Sequence, residues 1–591
     1  MTGRVCSVLP DVPAIDRAFD YSVPDELRDR VRVGAVVRIP LHGRRVRGWV
    51  LDDDVEPPPG VRLSAITKVT GIGPDPDVIE LCRWASWRWA GHLATMLRVA
   101  SPDRAVARRP ELRVRAATGG DAGRRATAAL SRGPGAHLLE VPPTDDALPV
   151  AVAAARLGQV LVVHPSLVGA DRVARGLRRT GAHVARWPVD FTAAASGATV
   201  VGGRAAVFAP LPALSAVVVW DEHDEGLQNE SSPTWHAREV AIERARRAGV
   251  PCLLVSPCPS LEARTASAPA GGVQRPDRGD ERAGWAPLVV VDRREEDVAR
   301  SGLYSSALVD AVRGTARAGE RVVCVLNRTG RARLLACRSC GTLARCERCE
   351  AAVHLTDALD LVCDRCGTRR PSICMHCAST ALSLLRLGVT RAREELEALA
   401  LEPVRAVTAA GDRQSPATQE DEERARILIG TEAVLHRVPE AGLVAFLDLD
   451  QELLAPRYRA AEEALHLVML ASRIVGGRSR GGRVMVQTRL PGHEVVQAAL
   501  HADPDRVAEA EAARRALLRF PPVATIAVVG GEAASAYVER VGHPIGVDVQ
   551  GPDDGRWMLR AEDRSVLMDH LATVDRPPGR LRLWVDPARI R

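Results

Sequence analysis

Eight of the 13 cysteines in this 591-residue chain fall between positions 337 and 377, as four CxxC pairs: 337-CRSCGTLARCERCEAAVHLTDALDLVCDRCGTRRPSICMHC-377. No other feature limits the fold so tightly. Eight thiolates are enough for two closed tetrahedral sites, and a CxxC turn lets two sulfurs and nearby backbone amides face one ion. Clustered pairs of this kind read as metal binding rather than as disulfides. Four pairs can combine in three ways. Only five residues separate Cys340 from Cys346, which is tight for two knuckles that must face each other, whereas the thirteen between Cys349 and Cys363 make a comfortable ribbon. The spacing therefore favours nesting, with Cys346, Cys349, Cys363 and Cys366 inside and Cys337, Cys340, Cys374 and Cys377 outside. His354 and His376 stand close enough to substitute, but eight cysteines leave them no vacancy. Two Zn2+ per chain are expected, and with no open position for water they stabilise a fold rather than catalyse. The five scattered cysteines, Cys6, Cys82, Cys252, Cys258 and Cys324, read as small core residues.

A chain of this length exceeds a single core, and typical domain sizes suggest three to five units. Residues 1–100 alternate short apolar runs with turns and read as a β-rich domain. It closes with 79-IELCRWASWRWAGHLATMLRV-99, where Leu81, Trp84 and Trp87 fit helical spacing; the Trp stripe is expected to pack a core rather than stack on bases. Residues 101–135 are rich in Arg, Gly and Ala and read as a basic linker with a remnant helix. From 136 onward, near-continuous apolar runs alternate with helical stretches, as in a parallel sheet covered on both faces. These runs are 160–165, 215–220, 251–256, 321–327, 426–431, 443–450 and 483–488. The Pro, Gly and Asp-rich segment 266–287 divides them into lobes at 136–275 and 285–490. The cysteine module, 337–380, interrupts the second lobe, and 491–591 reads as an α+β cap.

A net charge of +6 implies only a mild preference for acidic partners. Of the 80 basic residues one alone, Lys68, is lysine, a bias that reads as the codon usage of a GC-rich genome. It has a functional consequence. A P-loop needs a lysine that reaches the terminal phosphates, and Lys68, in SAITKVT, has no glycine loop before it, so the chain holds no standard P-loop. No apolar run approaches the ~18 residues of a membrane span, and MTGRVCSVLPDVP lacks a signal-peptide core. A cytoplasmic, nucleoid-associated protein without a membrane partner is expected.

The stretch 217-VVVWDEHDEGLQNE-230 runs an apolar strand into Asp-Glu-x-His, the way many helicases present a magnesium-binding acid. Together with 17-RAFDYSVP-24, 205-AAVFAPLPALSAVVVWDEHDEGLQNESSPTWHAREVA-241, NRTGRARLLACRSCG, 427-ILIGTEAV-434, 483-RVMVQTRLPGH-493 and 516-ALLRFPPVATIAVV-529, it resembles the bacterial replication-restart family of PriA, also called primosomal protein N prime, over nearly the whole chain. The resemblance implies an α/β fold of two helicase-like (RecA-like) lobes with a two-zinc insertion, a β-rich N-terminal domain that binds DNA 3′ ends, and an α+β C-terminal domain. It also implies forked and single-stranded DNA, other primosome proteins and the replicative helicase or its loader as partners. In that family the zinc pairs are nested.

Against the same family, the motor is degenerate. In place of the glycine-rich loop stands 137-HLLEVPPTDDALPVA-151. Glycine amides are missing there, Ala147 falls near the lysine position, and Asp145 and Asp146, beside Thr144, would repel a nucleotide. Anchored on His223, the family's Asp-Glu-Glu-His becomes Trp220-Asp221-Glu222-His223, with Trp for the magnesium ligand; a one-residue slip would return Asp221 and Glu222 to those roles, against the flanking match. The coupling motif has become 256-SPCPSLE-262, and the arginine-finger motif 472-SRIVGGRSR-480 retains Arg473 and Arg478. ATP is thus a doubtful cofactor, and no catalytic residue is assigned.

Recognition must then carry the function. The resemblance assigns Phe19, Asp20 and Gly43 to a pocket for a DNA 3′ end, where the acid accepts the terminal hydroxyl and the aromatic stacks on the last base; the bland alternative makes Phe19 core and Asp20 a turn cap. The basic stretches HGRRVRGW, ARRPELRVR and GGRSRGGR suit phosphate contacts or a solvated surface. The leading expectation is a protein that binds abandoned or stalled forks and helps reload the replicative helicase without unwinding DNA. The alternatives are an ATP-dependent 3′ to 5′ translocase with a noncanonical nucleotide site and a zinc-ribbon interaction protein that no longer binds forks.

Overall fold

Strands in the first domain are short because Pro, Asp and Gly punctuate them, and they pair antiparallel in the order Phe19–Ser22, Val5–Pro10, Arg44–Asp52, Val36–Leu41, Lys68–Gly71. The two ends of this order meet: Ser22 bridges Ala65, and Thr67 donates to the Arg38 carbonyl at 2.9 Å. The sheet is therefore rolled into a small barrel with its own apolar core, including Val8, Tyr21, Val37 and Ile39. The computed structural model describes residues 4–12, 15–56, 60–107, 115–294, 302–326, 334–356, 358–384, 389–407 and 425–590. Most of ARRPELRVR, and the NRTGRAR segment at 327–333, lie outside them.

The helical stretch expected at 79–99 is two helices, Pro76–Arg88 and Leu93–Ala100, broken at Trp89 to His92. Ala90 takes a left-handed φ of 44°, and a Cβ on Gly91 would meet the Pro233 ring at 2.7 Å, so close packing against lobe 1 forces the break. Trp89 is the fully buried tryptophan of this segment, while Trp84 and Trp87 are half-buried against the same core. The stretch expected as a linker also differs. Ala117, Ala126, Ala129 and Leu130 pack in one core cluster with the helix Ala147–Ala155, so residues 115–130 are part of lobe 1.

Apolar runs without polar alternation form strands buried on both faces, and both lobes are built this way. Lobe 1 is a seven-stranded parallel sheet in the order Val273–Gln274, Gly135–Glu140, Pro251–Ser256, Leu214–Trp220, Gln159–Val163, Thr199–Gly202, Val184–Trp187. Lobe 2 is a six-stranded parallel sheet in the order Leu288–Asp292, Arg483–Thr488, Leu443–Phe446, Val322–Val325, Ile427–Gly430, Val404–Val407. The C-terminal region adds the helices Glu494–His501 and Asp505–Leu518, then a four-stranded antiparallel sheet. Arg88, fully buried, joins three of these units through Glu239 at 2.8 Å and Asp586 at 2.7 Å. Among the described residues no helix is long and apolar enough to cross a membrane.

Candidate metal centres and nucleotide cleft

The four CxxC turns share one backbone geometry. In each, the residue four positions after the first cysteine donates its N–H to that cysteine's carbonyl at 2.9 Å: Gly341 to Cys337, Glu350 to Cys346, Gly367 to Cys363 and Ala378 to Cys374. All four donors are left-handed, with φ between 58° and 74°. The first cysteine's own N–H then donates to the carbonyl five residues on, at Thr342, Ala351, Thr368 and Ser379. This double closure turns both sulfurs of a pair inward.

Cys337, Cys340, Cys374 and Cys377 form one group and Cys346, Cys349, Cys363 and Cys366 the other, with all sulfurs in a group within 4.8 Å of one another. Close Sγ to Sγ separations are 3.5 Å for Cys337 and Cys377, 3.7 Å for Cys340 and Cys374, and 3.5 Å for Cys349 and Cys363. A tetrahedral zinc with bonds of 2.3 Å sets its sulfurs about 3.8 Å apart. The donor sets therefore fit one ion each, and are too open for disulfides. His354 takes no part in either group; its Nδ1 lies 3.2 Å from Asp364. The inner group is packed among Tyr458, Phe520 and Ile526, joining the module to lobe 2 and the C-terminal sheet, and Arg365 pins it by donating to the carbonyls of Cys349 at 3.1 Å and Ala455 at 2.7 Å. In the outer group Cys377 is exposed.

An open parallel sheet holds ligands beyond the carboxyl ends of its strands, and there the structure sets Glu140, Asp221 and Ser256. The loop after Glu140 carries Pro142 and Pro143, which lack N–H groups, in place of a glycine cradle. Asp146 caps the helix Ala147–Ala155, its carboxylate accepting from Leu148 N–H at 2.8 Å. The helix end that could meet a phosphate thus meets its own acid. Thr144, Asp145 and Asp146 are exposed and Ala147 is buried. Arg125, beside this loop, donates to the carbonyls of Glu140 and Gln274.

Trp220 is 3% exposed and shares a core cluster with Leu139, Val162 and Val255. Asp221, at a left-handed φ of 48°, receives both guanidinium nitrogens of Arg473 from lobe 2, at 2.6 and 2.7 Å. Arg473 Nε donates to the Pro143 carbonyl at 2.7 Å. Burial alone would raise the Asp221 carboxyl, but Arg473 brings it down to about 2. Glu222 accepts from Arg238 at 3.0 Å, Ser260 N–H at 2.8 Å and Ser260 Oγ at 2.7 Å; burial nonetheless raises its pKa. His223 Nδ1 lies 2.7 Å from Ser256 Oγ and its ring meets His466 edge-on at 4.4 Å. Burial, and then His466, holds His223 well below the usual imidazole value. These rings border a cavity of about 840 Å³ between the lobes and the C-terminal sheet, also lined by His436, Arg457 and Trp584. Arg478 donates instead to the Arg282 carbonyl at 2.8 Å.

Behind the cleft lies a charge network that sequence reading missed. Glu262, in the coupling stretch, sits 2.6 Å from Arg459 and 3.3 Å from Arg515, and Leu261 N–H donates to Glu462 at 3.1 Å. In an arginine-rich chain nothing local marks these residues.

In the barrel, Phe19 and Asp20 lie half-buried on the strand Phe19–Ser22, with the Arg17 guanidinium 4.8 Å from the centre of the Phe19 ring. Gly43 is on a separate element, the tip of the hairpin between Val36–Leu41 and Arg44–Asp52. There His42 and Gly43 have φ of 47° and 74°, a two-residue turn that needs both positive. Tyr21 ties the two elements, its hydroxyl donating to the Pro40 carbonyl at 3.1 Å. Arg44 and Arg45 flank the tip, exposed.

Residues 7–102 match the family model of a 3′ DNA-binding domain from PriA proteins. Among solved structures the chain resembles RecG bound to a three-way DNA junction, at 12% identity and a TM-score of 0.36, over 66% of this chain and 47% of that one. It is 30% identical to the replication restart protein PriA of Bacillus subtilis over 58% of its own length and 45% of that protein. The probable replication restart protein PriA of Mycobacterium tuberculosis is 32% identical and aligns with 96% of this chain and 90% of its own. A likeness of that identity over that length means that this chain belongs to the PriA family of replication restart proteins.

Proposed function

We propose that the protein binds abandoned or stalled replication forks and helps reload the replicative helicase as a scaffold, without a motor of its own. One observation carries this reading: protein groups pair with one another where the resemblance would place the phosphates. Asp146 caps the helix that would face the phosphates, and Arg473 rests on Asp221 and Pro143. Catalysis of phosphoryl transfer consists almost entirely of positioning and charge stabilisation, so these substitutions leave little to catalyse with.

Binding would then rest on the barrel. Phe19 would stack on the terminal base, Asp20 would accept the 3′ hydroxyl, and Gly43, without a side chain, would let the strand approach. Arg44 and Arg45 are placed to meet phosphates, so affinity should fall steeply with salt. Nothing in the barrel codes for base sequence, and structure-specific binding follows. Zinc in each four-cysteine group would hold the module as a surface for primosome proteins.

The test is steady-state ATP hydrolysis by zinc-loaded protein, with and without a fork that carries an annealed 3′ end, and with binding scored in the same samples. Fork binding with no turnover is the expected result. Hydrolysis accelerated by the fork would sink the scaffold reading and favour a noncanonical nucleotide site; equal affinity for fork and plain duplex would favour an interaction protein instead.

A further inference from the structure

In a nucleotide-driven motor of two lobes, the phosphates complete the contact between them: lobe 1 supplies the phosphate loop and metal acid, lobe 2 the arginine, and the lobes part when the nucleotide leaves. Here protein groups alone make that contact. Asp221 and Arg473 meet in a bidentate pair at 2.6 and 2.7 Å, with Asp221 4% exposed. Arg473 also reaches the Pro143 carbonyl at 2.7 Å, so one lobe 2 side chain ties down both the loop and the acid of lobe 1.

A second tie stands behind the first. Glu262, from the former coupling stretch, pairs with Arg459 at 2.6 Å, and all but about a tenth of each side chain is buried. Arg515, 1% exposed, bridges Glu262, Glu462 and Glu511. Both ties are made between protein side chains, and bidentate arginine–carboxylate pairs are the geometrically strictest of protein ion pairs.

We propose that the relics of three motor motifs, Asp221, Glu262 and Arg473, form a latch that keeps the two lobes closed in the absence of nucleotide. Decay of the motor thereby converts a moving joint into a fixed one. This rests on the scaffold reading only in supposing that no nucleotide enters the cleft. The inference concerns lobe closure, which is measured independently of DNA.

The experiment places a non-cysteine encoded fluorophore pair at the exposed positions Arg175 in lobe 1 and Arg317 in lobe 2, which spares the eight cysteines. In the full-length zinc-loaded protein, one short interlobe distance is expected, unchanged by Mg-ATP, Mg-ADP or their removal. Arg473→Gln and Glu262→Gln should each add a longer, open population, raised at least tenfold over wild type. In the Asp221→Asn background, Arg473→Gln should add little more. Hydrogen exchange on the unmodified protein guards against misfolded variants: the amides of Leu261 and Glu222 should be protected equally with and without nucleotide. A wild-type distance that shortens on adding ATP, or variants that remain wholly closed, would overturn the latch. Fork binding, scored separately, decides the functional reading: an open variant in a protein that binds no fork keeps the latch and removes the scaffold.

Discussion

The cysteine module and the cleft between the lobes each bring a few polar side chains together, and they satisfy them differently. In the module all eight thiolates are present, and four turns repeat one hydrogen-bond pattern. In the cleft the corresponding side chains meet neighbouring protein: Trp220 packs the core, Asp221 holds Arg473, Glu222 holds Arg238 and Asp146 caps a helix. The difference follows from what each ligand does for the fold. A structural zinc site contributes folding energy directly, about 10–16 kcal/mol in small peptides, so with zinc bound each cysteine is held in place by the stability that its metal adds. A nucleotide contributes to the folded state only by mass action. Its site can decay, provided that the acids left behind find partners.

The sharpest way to break the comparison is to remove metal from one centre at a time. Cys363→Ser, in the centre packed on Tyr458 and Phe520, should halve the bound zinc and cause a large loss of thermal stability; Cys377→Ser, at the exposed cysteine of the other centre, should halve the zinc with a much smaller loss. Metal analysis paired with thermal melts would show it, and equal losses would contradict the nested packing. Next in size is the cleft. Arg473→Gln leaves Asp221 buried without its partner and should cost about 3–5 kcal/mol, whereas Asp221→Asn with Arg473→Gln should cost clearly less, by denaturant titration.

Acid should discriminate the same two regions. The folded pKa values of Asp221 and Glu262 are both held at about 2, against 3.8 and 4.5 for the free groups, because nearby arginines outweigh burial. A depressed folded pKa gives stability that is present above the free value and disappears as pH falls through the folded one. The cleft should therefore contribute fully above about pH 5 and weaken towards pH 2, by roughly 2 kcal/mol for Asp221. In Asp221→Asn that part of the acid dependence should vanish from melts at stepped pH. The smallest effect lies in the knuckles. Glu350 and Ala378 occupy left-handed positions where the other two turns have glycine, so Glu350→Gly and Ala378→Gly should each stabilise by about 1 kcal/mol, with zinc content unchanged.

Legibility in the sequence followed the range of the interaction. The runs at 215–220, 251–256 and 483–488 are strands to within a residue, because a strand buried on both faces declares itself in consecutive residues. The grouping of the cysteines was readable because ribbon length limits which knuckles can meet. Boundaries set by distant contacts were not. The break at Gly91 depends on Pro233, and the burial of Ala126 and Leu130 depends on the helix Ala147–Ala155. Asp221 and Arg473 each stand in a stretch that the family resemblance singles out, yet their pairing spans 252 positions, and no local pattern encodes it. The turn residue Gly341 announces its left-handed role, whereas Ala378 in the same role does not.

The burial of Trp220 bears on history as well as on mechanism. Its indole now fills part of the core of lobe 1, among Leu139, Val162 and Val255. Reverting it to aspartate would place a carboxylate in an apolar cluster and leave a void the size of an indole, a double penalty that single substitutions rarely survive. Nor would it gain a catalyst, since Arg473 would still be engaged and the glycine loop still absent. On the scaffold reading proposed above, the change from acid to tryptophan would act as a ratchet: each later packing adjustment around the indole would make the step back more expensive than the step that was taken.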